Sequence, residues 1–98
     1  MRENEYLLII KEAVLSSLEG EPVKIVLFGS RARQDYRSAS DVDIGILPKE
    51  NFSHDKLTIL RERIENLNVP YKVEVVNFNE VSEDFKREAL KEVVVWKE

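Results

Sequence analysis

Two apolar runs, residues 23–28 (Val-Lys-Ile-Val-Leu-Phe) and 44–47 (Ile-Gly-Ile-Leu), bracket a polar stretch that opens with Gly29-Ser30 and closes with Asp41-Val42-Asp43. Few folds accommodate that pattern. The first run is rich in β-branched residues and reads as a buried strand. The second alternates: Val42, Ile44 and Ile46 fall on one face, and Asp41, Asp43 and Gly45 on the other. Two carboxylates at i and i+2 of a strand therefore share a face, and the apolar set commits the opposite face to a core. Such a chain must build a sheet with one face against helices and an acidic site on the other, with Gly45 leaving room beside the acids.

The rest of the sequence supplies those helices. Tyr6, Leu7, Ile9, Ile10, Ala13, Val14 and Leu18 form a wide helical stripe over residues 5–18, stopped by Gly20 and Pro22. The part of this stripe left outside the core is a candidate subunit contact. Ser30 caps a short helix through Arg33, and residues 34–40 read as a polar loop. Ser53 is the expected N-cap of a helix with Asp55 in its first turn and Leu57, Leu60, Ile64 and Leu67 on its buried side, closed by Asn68 and Pro70. Residues 71–76 read as a third strand, with Tyr71, Val73 and Val75 opposite Lys72, Glu74 and Val76. Ser82 with Glu83 and Asp84 starts a last helix bearing Phe85, Ala89 and Leu90, and residues 93–96 leave both strand and helix open. The order α-β-α-β-α-β-α gives an α/β (α+β) fold, a small mixed β-sheet flanked by helices, with the strands around Val26, Asp43 and Glu74 side by side. Ninety-eight residues without repeat or linker are expected to make one domain, 1–98.

Composition narrows the setting. The absence of cysteine removes disulfides and thiolate metal sites. With no run approaching the roughly 18 apolar residues of a membrane span, and with the acidic start Met1-Arg2-Glu3-Asn4-Glu5, a cytoplasmic protein is expected. A net charge of −4 argues against a broad nucleic-acid footprint, and no direct nucleic-acid binding is expected. Against that acidic background Arg31, Arg33 and Arg37 crowd the Gly-Ser turn. A basic island beside paired carboxylates suits one polyanionic ligand bound together with metal.

Nucleotidyl transfer makes that demand. An acceptor oxygen attacks the α-phosphorus of a nucleoside triphosphate in line with departing pyrophosphate, and two metal ions about 3.5–4 Å apart stabilise both oxygens. Such ions take hard oxygen ligands, and Asp41 and Asp43 supply two carboxylates. The third is Glu74, out of phase with the apolar residues of its strand and able to serve also as general base. Before metal enters, three neighbouring acids repel one another and raise at least one pKa. Gly29 permits the turn, and Ser30 offers a hydroxyl and an N–H to the β- and γ-phosphates. Arg31 and Arg33 are the candidates for neutralising the triphosphate, but residues two apart on a helical turn diverge. One of them is therefore expected at the phosphates and the other at solvent or a partner.

Leu27-Phe28-Gly29-Ser30-Arg31-Ala32-Arg33 followed by Ser40-Asp41-Val42-Asp43-Ile44 resembles the signature of the minimal nucleotidyltransferases of the DNA polymerase β superfamily. The likeness extends over nearly the whole chain, including Ser82-Glu83-Asp84-Phe85 and the Val-rich ending. It implies the minimal polymerase-β-type fold, two Mg2+ ions (or Mn2+ in their place), ATP as substrate, metal ligation by Asp41, Asp43 and Glu74, and nucleotide binding by Gly29, Ser30, Arg31, Arg33 and Ser40. The family usually has aspartate where this chain has Glu74, a longer and more mobile ligand, which puts full activity in question. The resemblance also implies a companion: a small all-helical HEPN-type protein encoded by a neighbouring gene, joined with this chain in a hetero-oligomer. The expected activity is AMP transfer to a partner tyrosine, making the chain the antitoxin of a type VII-like toxin–antitoxin pair. Two alternatives stand beside it: a non-catalytic module that neutralises or completes the helical partner, and nucleotidyl transfer to a small-molecule hydroxyl.

Overall fold

The computed structural model describes residues 3–33 and 41–98. Along the chain run α1 (Glu3–Ser17), β1 (Val23–Phe28), α2 (Ser30–Arg33), β2 (Val42–Pro48), α3 (Asp55–Glu65), β3 (Val73–Asn77), α4 (Glu83–Ala89) and β4 (Val94–Lys97). Four strands form one sheet in the order β3-β2-β1-β4. β1 pairs antiparallel with β2 on one side and β4 on the other, while β2 and β3 run parallel. A parallel pair needs a crossover, and α3 provides it. The polar loop expected at residues 34–40 lies outside the described residues.

The alternation read in β2 divides the molecule into two layers of packing. Val42, Ile44 and Ile46 join Val23, Ile25 and Leu27 of β1 beneath Ile10, Ala13, Val14 and Leu18 of α1 and Leu57, Leu60 and Ile64 of α3. On the reverse face Val26, Phe28 and Phe78 make a smaller cluster, against which Val76, Ala89 and Leu90 pack. The sheet is thus covered on both sides, but α4 shields only part of the reverse face. The open part holds the acids.

Residues 93–96, ambiguous in sequence, resolve as the edge strand β4. Val94 and Val95 pair with Leu27 and Val26, and Trp96 packs partly into the main core. Lys97 ties this strand to the end of α1, its ammonium donating to the carbonyls of Leu18 at 3.3 Å and Glu21 at 2.7 Å. Cations suit the carbonyl-rich end of a helix. Ser82 caps α4 as expected, its hydroxyl accepting the Phe85 N–H at 3.1 Å. Ser53 does not cap α3 with its side chain. The helix begins one residue later behind His54, and the Ser53 carbonyl accepts the Lys56 N–H while its own N–H donates to Glu21 at 2.8 Å. A distant carboxylate has taken the place of a local cap. Among the described residues no helix is long and apolar enough to cross a membrane.

Candidate active site

Strand register brings the sequence-distant acids together. Asp43 lies between Phe28 of β1 and Glu74 of β3, each its direct partner across the ladder. Neighbouring strands are about 4.8 Å apart and directly paired residues share a face, so Asp43 and Glu74 project on the same side. Asp41 is exposed two residues earlier on that face, just ahead of β2.

The Gly29-Ser30 turn closes over this group. Gly29 has φ +76°, in the left-handed region, and an added Cβ would stand 2.5 Å from Asp43 Oδ2 and 3.3 Å from its Cγ. The turn therefore needs glycine twice: for its backbone conformation and because the Asp43 carboxylate occupies the space of a side chain. Past the turn the chain enters α2, where the Ala32 and Arg33 N–H groups both donate to the Gly29 carbonyl. Gly45, two residues after Asp43, is also filled from outside: an added Cβ would run into the Phe78 ring and stand 2.9 Å from Val26 Cγ2. The room expected beside the acids is taken by that ring.

Electrostatics mark Asp43 as the focal group. Burial first, then the Glu74 and Asp41 charges, push its carboxyl above the ordinary 3.8, against relief from Arg33 and Lys72. The repulsion expected among the acids is present, with desolvation ahead of it. Lys72, to which the sequence reading gave no role, lies 3.2 Å from Glu74 Oε1. That hydrogen bond and the charges of Glu74, Asp41 and Asp43 raise its pKa above the ordinary 10.5. Its i, i+2 spacing to Glu74 was the available signal: residues two apart on a strand share a face.

The arginines of α2 diverge as their spacing requires. Arg33 is exposed and acts on Asp43. Arg31 does not reach solvent: it is 4% exposed, with its guanidinium 4.4 Å from the centre of the Tyr71 ring. Tyr71 in turn meets Tyr6 edge to face at 5.8 Å. Arg31 thus joins α2 to the segment leading into β3, the strand of Glu74. Ser30 is half-buried at the turn, and Ser40 lies outside the described residues.

Two aspartates and a glutamate on one face are the hard oxygen donors that Mg2+ takes. The absence of a side chain at Gly29 brings the backbone of the turn against the Asp43 carboxylate, so that a ligand held by one would lie beside the other. Among the described residues no three acid, imidazole or thiol groups are gathered tightly enough to hold an ion as they stand. The Glu74 carboxylate is instead drawn to the Lys72 ammonium.

The sequence profile described as "Polymerase beta, Nucleotidyltransferase" matches residues 10–98, and so takes in both strands of the acidic pair and the Gly-Ser turn. The chain belongs to the polymerase β nucleotidyltransferase family. A solved structure described as a minimal nucleotidyltransferase is similar over 96% of this chain and 95% of its own, with 26% identity and a TM-score of 0.71. The MNT antitoxin complex with the tri-AMPylated HEPN toxin of Shewanella oneidensis shares the fold at 15% identity, with a TM-score of 0.64, over 97% of this chain and 71% of that one. A toxin–antitoxin complex with AMP-PNP does so at 18% identity and a TM-score of 0.64, over 98% and 73%. No curated protein matches the chain.

Proposed function

We propose that this family member transfers AMP from ATP to a hydroxyl group, with magnesium, and that the acceptor is a tyrosine of a small helical HEPN-type toxin, encoded by a neighbouring gene and restrained by the transfer in the cytoplasm. The observation that carries the reading is the register of Asp43 between Phe28 and Glu74 with Gly29 folded onto its carboxylate. The similar folds of an antitoxin bound to an AMPylated HEPN toxin and of a complex with AMP-PNP support the choice of partner and nucleotide.

On this reading residues 1–98 act as one catalytic domain. Gly29 and Ser30 seat the triphosphate, and Ser40 flanks it. The Ser30 N–H, ahead of the Ala32 and Arg33 N–H groups that donate to the Gly29 carbonyl, faces the incoming anion. Arg33 balances phosphate charge next to Asp43, while Arg31 serves the nucleotide by fixing α2 against Tyr71. Asp41, Asp43 and Glu74 would hold the divalent ions, whose positive charge would favour both the attacking and the departing oxygen. Glu74 takes the proton of the acceptor hydroxyl as its oxygen bonds to the α-phosphorus and the bond to pyrophosphate breaks.

The test is the intact mass of the co-expressed helical neighbour after incubation with this protein, ATP and magnesium. Gain of one or more AMP units, absent with Asp43→Ala, is the expected result. An unchanged mass despite a stable complex and measured metal binding sinks protein AMP transfer. The Lys72–Glu74 ion pair favours a second reading, a module that neutralises its partner by binding alone. There Asp43→Ala leaves protection intact. Transfer to a small-molecule hydroxyl, the third possibility, would appear as labelled product when hydroxylated acceptors are supplied with radiolabelled ATP.

A further inference from the structure

Beside the Gly-Ser turn, on the side of α4, is a cavity of about 270 Å³ lined by Phe28, Gly29, Arg33, Phe85, Glu88 and Ala89. Phe85 is the outermost of three clustered aromatics. Its ring meets Phe28 edge to face at 6.2 Å and lies 6.1 Å from Phe78 at an interplanar angle of 30°, while Phe28 and Phe78 are 5.1 Å apart. Phe28 is 6% exposed and Phe78 1%, yet Phe85 remains 45% exposed on the helix that covers part of this face. A buried pair thus backs an open ring. Apolar rings so presented are platforms for other planar groups. The cavity adjoins the candidate active site: Gly29 lines it and also packs against the Asp43 carboxylate, and Phe28, another of its walls, is the ladder partner of Asp43.

We propose that this cavity receives the base of the nucleotide, stacked on Phe85. The inference rests on the transfer reading above and adds the nucleoside half of the substrate to it. A triphosphate seated on Gly29 and Ser30, with its α-phosphate at Asp43, carries its nucleoside within reach of α4. Arg33 lies on the rim between the two compartments, so phosphate charge and the planar base are served by adjoining walls. Base–aromatic stacking is tolerant of base identity, so Phe85 strengthens binding of nucleotides in general. Glu88, also a lining residue, accepts a hydrogen bond from the Lys91 ammonium at 2.7 Å.

The experiment is calorimetric titration of the full chain with Mg·ATP and, separately, with Mg·tripolyphosphate, for the native sequence and for Phe85→Ala, Phe85→Leu and Phe85→Trp. Phe85→Leu keeps apolar bulk on α4 without a π face, and circular dichroism establishes that each variant is folded. The expected result is that ATP binds more tightly than tripolyphosphate, that Phe85→Leu and Phe85→Ala weaken ATP about ten-fold and leave tripolyphosphate unchanged, and that Phe85→Trp retains the ATP affinity. Equal binding of both ligands, or ATP affinity indifferent to residue 85 in folded variants, overturns the base site while leaving the phosphate site standing. Failure of both ligands to bind overturns the phosphate site and the base site with it.

Discussion

Replacing Gly29 with alanine tests the closest contact in the candidate site. A residue with a Cβ at φ +76° pays about 1–2 kcal/mol for the left-handed conformation. The new methyl would also stand 2.5 Å from Asp43 Oδ2, and turning that carboxylate off its preferred rotamer costs about 0.5–1.5 kcal/mol. Reduced freedom of the unfolded chain returns about 0.4–1 kcal/mol. The net loss is about 2 kcal/mol, a fall of about 8–16 °C in Tm for a chain of this size. The two unfavourable parts separate in a double-mutant cycle. In an Asp43→Ala background only the backbone part remains, so Gly29→Ala should cost about 1 kcal/mol less there. Urea unfolding followed by circular dichroism on the four proteins measures the difference. Equal cost in both backgrounds would refute the reasoning, because it would mean that the Asp43 carboxylate does not occupy the space beside Gly29.

Three further outcomes follow from neighbouring features. Gly45→Ala, which drives a methyl into the buried Phe78 and Val26 side chains, should destabilise by about 1–3 kcal/mol, and Phe78→Leu should recover part of that loss in the same unfolding assay. Asp43→Asn should raise Tm at pH 7: a folded pKa above the unfolded value makes ionisation unfavourable to the fold, and that deficit fades as pH falls through the raised pKa toward 3.8. The two melting curves should therefore converge on acidification, and a constant gap would argue against a raised Asp43. Ser82→Ala, removing the hydroxyl that accepts the Phe85 N–H, should cost about 1 kcal/mol by thermal melting, and Ser82→Gly only a few tenths.

The parts of the site that could be read in the sequence are those governed by strand periodicity. Val42, Ile44 and Ile46 had to face one way and Asp41 and Asp43 the other, and Glu74 stood out of phase with Val73 and Val75. Local alternation does not reveal pairing, so the direct opposition of Asp43 to both Phe28 and Glu74 came only with the register. In sequence Arg31 reads as a phosphate ligand or, if Arg33 takes that role, as a charge facing solvent or a partner. Its burial depends on Tyr71, brought alongside by the sheet. Lys72 was visible on the Glu74 face, yet nothing local marks a lysine as the partner of a carboxylate two residues on. The valine-rich ending was undecidable because a short apolar run satisfies strand and helix alike, and an available edge on β1 settled it. Phe28, Phe78 and Phe85 lie on three different segments, so no sequence window shows their stack.

The position of β4 has a consequence for how the chain matures. β1 is an interior strand, yet one of its two neighbours is contributed by Val94–Lys97, separated from it by β2, α3, β3 and α4. Chains leave the ribosome at about 5–20 residues per second, amino end first. The strands that carry Asp43 and Glu74 are therefore synthesised before the strand that covers the far side of β1. An unpaired strand edge is a template for any passing strand. Until β4 docks, a chain that has already paired β1 with β2 and β2 with β3 keeps an adhesive flank on β1. That flank is closed when Val94 and Val95 dock and the Lys97 ammonium locks onto the end of α1.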